Sequence, residues 1–374
     1  MSKLNNPFVI YGYKGAEYFC DREEDTNKLI AALHNERNIT LIAPRRVGKT
    51  GLIKHVFNRI EQLDPKTKCF YLDIFSTKNL EQMVQLMART ILGRLDSTPQ
   101  AALRRIQEFF GSLRPTVSFD PLTGLPSVSL DIRPTEEEQT LKRIFEYMRQ
   151  SGYRCYVAID EFQQILAYSN KGIEATLRSY IQFLPNVYFI FAGSMQHLME
   201  EMFTSANRPF FQSSQIMLLN NVDQAKYHAF ANRFFQPQGR TISEENFAYL
   251  YHHVDGITWY IQSILNRIYQ YTDHPIDPHF IDQIIRELVN EQEPVFQNYY
   301  ASLTEIQASL LTAIAKEKIV TSPLSHQFIS TYQLKATSSV RTALKALIDR
   351  QMVYAKPEGY VVYDRFFALW LTRL

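Results

Sequence analysis

Gly48, Lys49 and Thr50 stand between an apolar run, Ile39–Ile42, and a helical pattern made by Leu52, Ile53, Val56, Phe57 and Ile60. A lysine and a hydroxyl directly after a glycine, where a strand passes through a tight loop into a helix, suit one chemistry. Backbone N–H groups at the helix start wrap a phosphate where the helix dipole is positive. The Lys49 ammonium reaches the β- and γ-phosphates, and the Thr50 hydroxyl ligates Mg²⁺. The whole loop reads Ala43-Pro44-Arg45-Arg46-Val47-Gly48-Lys49-Thr50, with Gly51 after it. Its first position, ordinarily glycine, carries the single methyl of Ala43 at the strand exit. Gly51, a poor helix former, loosens the first turn slightly.

The second half of such a site is a carboxylate pair. Tyr156-Val157-Ala158-Ile159 is a buried strand pattern ending in Asp160-Glu161. Asp160 is suited to the Mg²⁺ shell, and Glu161 to drawing a proton from an attacking water as general base. Asp-Glu after a strand can also be a helix N-cap pair. Residues 187–192 form a further strand pattern that ends in Gly193-Ser194. In a parallel sheet that tip lies beside Asp160, so the Ser194 hydroxyl could reach the γ-phosphate or the water. It could also cap the helix that follows. Together these residues name a nucleoside triphosphate with Mg²⁺ as the ligand. The lysine–aspartate motif that reads guanine has no counterpart in a suitable place, which favours ATP.

The elements that must position these residues alternate between strand and helix. Strands at 39–42, 68–74, 154–159, 187–192 and 215–219, with helices between them, predict a parallel α/β sheet. Between the second and third strands, 78–95 and 99–110 have helical periodicity. Residues 115–132 alternate apolar and polar around Pro121-Leu122-Thr123-Gly124, which reads as a β-hairpin decorating the surface. Thr135-Glu136-Glu137-Glu138 has the pattern of a capping box for the next helix. After Asn220 strands stop. Helices at 222–235, 244–253, 257–271 and 278–292 predict an all-α region. Helices at 304–315, 323–332 and 338–351 follow, and then two short strands around Pro357-Glu358-Gly359, the pattern of a winged helix-turn-helix. The expected domains are 1–220, with an insertion at about 76–135, then 221–298 and 299–374.

Composition excludes other classes. The 374 residues are 45% hydrophobic with a formal net charge of +2, so the chain is globular and has no bulk pull toward nucleic acid or membrane. Three cysteines, Cys20, Cys69 and Cys155, have no metal or redox spacing and suit a reducing compartment; Cys69 and Cys155, in apolar strand patterns, read as buried thiols. His252-His253 lie about 100° apart on a helix and do not form a metal site. The N-terminus lacks the apolar core of a signal peptide, and no run approaches the ~20 apolar residues of a membrane span. A cytoplasmic protein is expected.

On these residues the chain resembles the archaeal-type ATPases of the P-loop superfamily, near the AAA+ and STAND ATPases, over nearly its whole length. The loop at 43–50, with Arg45-Arg46, is similar to that family's arginine-rich P-loop. Asp160-Glu161-Phe162-Gln163 is similar to its Walker B motif and Ala192-Gly193-Ser194 to its sensor strand. Arg208-Pro209-Phe210-Phe211-Gln212-Ser213 and 364–371 resemble its later blocks. Phe19-Cys20-Asp21-Arg22-Glu23-Glu24 resembles the segment that lies by the adenine, with Asp21 replacing a glycine. The resemblance implies an AAA+-like ASCE core, a helical lid and a C-terminal winged helix, with Arg22 near the nucleotide. It also implies an arginine finger at Arg208, which a neighbouring copy would receive in a homo-oligomer; Arg178 is a second candidate. Gly256-Ile257-Thr258 stands where STAND lids carry Gly-x-Pro. Ending at Leu374, the chain is expected to lack the nuclease-like domain of longer relatives.

The resulting expectation is an Mg²⁺-dependent ATPase, slow in turnover, in which ATP seated between core and lid switches the conformation of the lid and winged helix. A DNA-binding regulator or initiator-like protein is the alternative. Residues 300–374 hold nine basic and five acidic side chains, a net of +4, and Lys335, Arg341, Lys345 and Lys356 are the candidate phosphate contacts. A scaffold that oligomerises on ATP and recruits a protein client is the third.

Overall fold

Alternate residues of a strand face opposite sides of a sheet, and this rule decides which side chains meet at the tips. The computed structural model describes residues 4–374 except 97, 120–125, 134, 171 and 357. It divides into two compact units.

The first unit is Tyr11–Asp223. Its strands are β1 (Ile39–Ile42), β2 (Thr67–Asp73), β3 (Thr116–Phe119), β4 (Pro126–Ser129), β5 (Arg154–Asp160), β6 (Val187–Gly193) and β7 (Gln215–Leu218). Its helices are α1 (Glu23–His34), α2 (Lys49–Leu63), α3 (Leu80–Ile91), α4 (Pro99–Phe110), α5 (Glu137–Arg149), α6 (Ile173–Ile181) and α7 (Gln196–Thr204). Five strands form one sheet in the order β2-β5-β6-β1-β7, every pair parallel. All of its strand tips therefore point one way, and β6 separates the strand that feeds the phosphate loop from the strand that ends in Asp160.

One face of the sheet packs α1 and α2 against Leu41, Tyr156, Ala158 and Ile190. The other packs α3 and α5 against Phe70, Leu72, Val157, Ile159 and Phe191. The β3–β4 hairpin is no surface decoration. Val128 and Leu130 are buried in that second core, and the Gln85 amide hydrogen-bonds both the N–H and the carbonyl of Leu130. The turn at 121–124 lies outside the described residues. The capping box at Thr135 does not form. Thr135 has φ of 77°, and Glu136, without a side-chain cap bond, takes the N-cap position of α5. Cys155 is buried and its thiol is pushed up to about 12 by that burial, while Cys69 lies on the opposite face and is half-buried.

The second unit comprises Met1–Ile10 and Gln224–Leu374. It contains α8 (Gln224–Phe235), α9 (Glu244–His253), α10 (Thr258–Gln270), α11 (Pro278–Glu291), α12 (Glu293–Ala301), α13 (Glu305–Glu317), α14 (His326–Thr331), α15 (Thr337–Asp349), β8 (Val353–Lys356), β9 (Gly359–Val362) and α16 (Arg365–Leu371). Strands β8 and β9 form the wing, and Val320 adds an antiparallel bridge to Tyr360. Gly359 has φ of 142°, and a Cβ there would sit 2.7 Å from the Val320 carbonyl oxygen, so the wing requires glycine.

Two assignments from the sequence change here. The N-terminal segment belongs with the helices and not with the sheet. Phe8 is fully buried among Phe230, Phe234, Phe235 and Tyr269, and Asn266 donates to the Phe8 carbonyl while Asn6 donates to that of Asn266. The division between 221–298 and 299–374 is bridged by α16. Its Phe367 stacks on Phe296 of α12, and Trp370 donates to Glu293. Asp364 caps this helix by accepting from the Phe367 amide.

Phe8→Ala is expected to destabilise the second unit by about 3–5 kcal/mol, measured by denaturant unfolding. A loss under about 1 kcal/mol would mean that the segment is not part of that core.

Candidate functional site

The helix α2 begins at Gly48, whose φ of 102° and ψ of 20° put it in the left-handed region. A residue without Cβ serves there both as the helix cap and as a floor for a close-lying anion. Arg46 also has positive φ, 70°. Ala43 is fully buried and its N–H donates to the Gly193 carbonyl, so the loop leaves the sheet pinned to the middle strand. Its methyl lies in the core of the α2 face, which is why alanine is accepted at the strand exit.

The residues after Gly48 meet the carboxylates. Asp160 shares the parity of Tyr156 and Ala158 and so points to the α2 side of the sheet. Lys49, 7% exposed, places its Nζ 2.8 Å from Asp160 Oδ1 and 3.2 Å from Glu161 Oε1. Thr50 Oγ1 donates to Asp160 Oδ2 at 2.9 Å. Glu161 turns out of the strand through the left-handed region, φ 55° and ψ 42°, and its Oε2 accepts from Ser194 Oγ at 2.7 Å and from Gln163 Nε2 at 2.6 Å. Ser194 does not cap α7. The N-cap there is Met195, without a side-chain bond.

Burial pushes both carboxyls up, yet both lie below their ordinary values because Lys49 and the hydrogen-bond donors outweigh it. For Asp160 the donors are Lys49, Tyr71 and Thr50; for Glu161 they are Gln163 and Ser194. Tyr71 donates to Asp160 Oδ2 at 2.6 Å, and its phenol is raised by burial and by the Asp160 charge. Asp73, paired in register with Asp160, is raised by burial and by both neighbouring carboxylates despite the Phe75 amide. Tyr71, Asp73 and the contact of Gln163 were not read from the sequence. The signal for the first two is parity: they share a face with Asp160 once β2 is set beside β5.

The other candidates sit elsewhere. Arg22 is buried and donates to the Val47 carbonyl at 2.8 Å while pairing with Asp25 at 3.1 Å, so it braces the back of the phosphate loop. Phe19 stacks on His55 of α2 with ring centroids 4.4 Å apart, beside Gly51. The Arg45 guanidinium lies over the ring of Phe75 at the β2 tip. Arg208 pairs with Glu174 at 3.2 Å and with Glu201 at 3.7 Å, and none of its described contacts is with the Lys49 network. Arg178 donates to Gln182 on the surface of α6. In the winged helix, Lys335 is paired with Glu305 and Lys356 with Asp255, whereas Arg341 and Lys345 are exposed on α15 without ion pairs among the described residues.

The sheet order, the glycine-capped helix and the carboxylates two strands away define the class, a P-loop ATPase fold with a C-terminal winged helix. Within it the assignment is narrower. Residues 19–264 match the ATPase domain predominantly from Archaea, and the chain belongs to that family; residues 294–373 match a probable winged helix domain. The Walker-type ATPase of Pyrococcus abyssi is 18% identical with a TM-score of 0.67, covering 98% of this chain and 100% of that one. The ORC2 protein of Aeropyrum pernix, in ADPNP–ADP complexes, is 14% identical with a TM-score of 0.61, over 98% and 95%. At these identities the likeness is one of fold. None of the curated proteins matches. Among the described residues, no helix is long and apolar enough to cross a membrane.

Two outcomes are expected. Because both folded-state carboxyls lie below their ordinary values, their contribution to stability is present above the ordinary carboxylate range. It is lost as the pH falls through the depressed values. Lys49→Ala leaves the buried Asp160 and the half-buried Glu161 carboxylates without their cation, so it should cost about 3–5 kcal/mol near neutrality and flatten the acid side of the stability profile in urea unfolding. An unchanged profile would contradict the shared ion pair. Tyr71→Phe should cost about 1.5–3 kcal/mol by the same measurement; a neutral result would remove Tyr71 from the network.

Proposed function

We propose that this protein binds ATP with Mg²⁺ and hydrolyses it slowly, as a nucleotide-controlled conformational switch. The observation that supports this most is the convergence of Lys49, Thr50, Asp160, Glu161 and Ser194, from three distant segments, in one hydrogen-bonded network at the strand tips.

The residues fit the ligand. Gly48 supplies the cradle floor without a Cβ, and Thr50 Oγ1 with Asp160 Oδ2 is a two-ligand oxygen set of the kind Mg²⁺ shares with phosphate and water. When bound, Mg²⁺ neutralises developing charge on the phosphates. Lys49 would turn from the carboxylates to the β- and γ-phosphates. Glu161, relieved of that cation and still held by Ser194 and Gln163, would rise from its depressed value and become the stronger base for an incoming water. Ser194 would register whether the γ-phosphate is present. Arg22 would act through the loop it braces. Arg208 would contribute only by exchanging Glu174 and Glu201 for the site of another copy.

Glu161→Gln should keep ATP affinity within about twofold and reduce phosphate release by about 10²-fold or more, while Lys49→Ala should lose ATP binding. Both are read by a fluorescent-nucleotide titration beside a phosphate-release assay. Undiminished turnover in Glu161→Gln would remove it from the base role.

A second reading, DNA binding through the winged helix, is favoured by the exposed Arg341 and Lys345, which lie one turn apart on α15. Duplex affinity should then fall with salt, and the double substitution Arg341→Ala/Lys345→Ala should reduce the salt slope by about two. No binding to any duplex at low salt would end this reading.

A further inference from the structure

The carboxylate of Glu161 is held by two neutral donors, Ser194 and Gln163. Gln163 is 6% exposed, and it begins a short 3-10 turn with Phe162, whose ring is packed among Phe191, Phe203 and Phe210. The left-handed turn at Glu161 folds the chain back, so that the side chain two residues on lies beside that of Glu161. Gln163 Nε2 then donates to Glu161 Oε2 at 2.6 Å. Its orientation is fixed by chemistry: only the –NH₂ end of the amide can donate to a carboxylate.

The other end of the same amide has an unusual seat. Gln163 Oε1 is buried without a hydrogen-bond partner among the described residues. It lies against the bare Cα of Gly193, where a Cβ would be only 2.4 Å from it and 2.5 Å from Met199 Cγ and Sδ. A side chain at that position would push the Gln163 amide and Met199 out of their places. The Gly193-Ser194 tip of β6 therefore serves Glu161 twice. Ser194 supplies a donor directly, and Gly193 leaves the space in which Gln163 can lie flat and supply the second.

We propose that Gln163 is a positioning residue for Glu161, and that Gly193 is glycine because Gln163 must fit against it. Two donors on Oε2 fix the carboxylate plane and leave Oε1 facing Lys49, the side on which the phosphates would lie. The unpartnered Gln163 Oε1 is the cost of this arrangement, since a buried amide oxygen without a donor is unfavourable. A residue kept for packing alone would be better as methionine or leucine. This inference rests on the reading of Glu161 as the general base.

The test compares pH profiles of kcat for ATP hydrolysis in wild type, Gln163→Met, Gln163→Glu and Glu161→Gln, with the KM for ATP measured in each. Gln163→Met keeps the length and removes the donor. Its acid limb should move up by about one pH unit, as expected for losing one hydrogen bond to a charged group, with kcat down about 10-fold and KM within twofold. Gln163→Glu places a second carboxyl against the first, which favours sharing a proton, so its limb should move up further. Gln163→Glu also carries the test if Gln163→Met does not fold. Wild-type kcat and acid limb in Gln163→Met or, failing its folding, in Gln163→Glu, while Glu161→Gln is inactive, would overturn the positioning role and leave the base in place. An active Glu161→Gln would instead overturn the base reading itself.

Discussion

One lysine stands between a buried carboxylate, Asp160, and a half-buried one, Glu161, and the first unit is arranged to make that possible. Lys49 leaves a helix that follows β1, while Asp160 and Glu161 end β5, two strands away. Parallel strands about 4.8 Å apart put those tips about 10 Å from each other, a gap a lysine side chain can span from the first turn of α2. The intervening strand β6 fills the gap from below and offers Gly193 and Ser194 at its own tip. Without Lys49 the two carboxylates would have no cation between them; without the carboxylates the lysine would be a buried unpaired cation. Such a pair is weak evidence for stability, because desolvation offsets much of the attraction. It is better understood as a set of charges kept ready to exchange partners when a more strongly charged ligand arrives.

Much of this was legible in the residues. Gly48-Lys49-Thr50 between a strand and a helix and Asp160-Glu161 at a strand end are local patterns, and local patterns survive folding. The five core strands and most helices carry their periodicity openly, so the parallel sheet and the winged helix followed from it. What stayed hidden depends on register and on long-range packing. Tyr71 touches Asp160 only because β2 lies beside β5 with Asp73 opposite Asp160. Gln163 reaches Glu161 only because Glu161 adopts a left-handed backbone. Phe8 finds its core more than 200 residues away, among Phe230 and Tyr269. Helices α12 and α16 were missed for another reason. Pro294, which has no N–H to donate, opens α12 directly after α11, and the seven residues of α16 are too few to show a period.

The charged residues illustrate the limit of reading by type. Arg22, Arg208, Lys335 and Lys356 carry the right charge for ligand contacts, yet each has an acidic partner within the fold. Arg341 and Lys345 have the same charge and no ion pair among the described residues. Sequence spacing did not separate these two groups; tertiary pairing does. The surface pairs at Lys335 and Lys356 are worth little in stability and could yield to a stronger anion. The bond from Arg22 to the Val47 carbonyl is buried and braces the loop instead.

Bound nucleotide would take Lys49 from Glu161 and leave Glu161 on its two neutral donors. A crystal structure of the protein with Mg²⁺ and a non-hydrolysable ATP analogue would show whether this exchange takes place. The expected result is Lys49 Nζ within about 3 Å of the phosphate oxygens and released from Glu161, with Ser194 and Gln163 still on Glu161 Oε2. Phosphates bound away from Gly48-Lys49-Thr50, or Lys49 still paired with Glu161 beside a bound triphosphate, would contradict it.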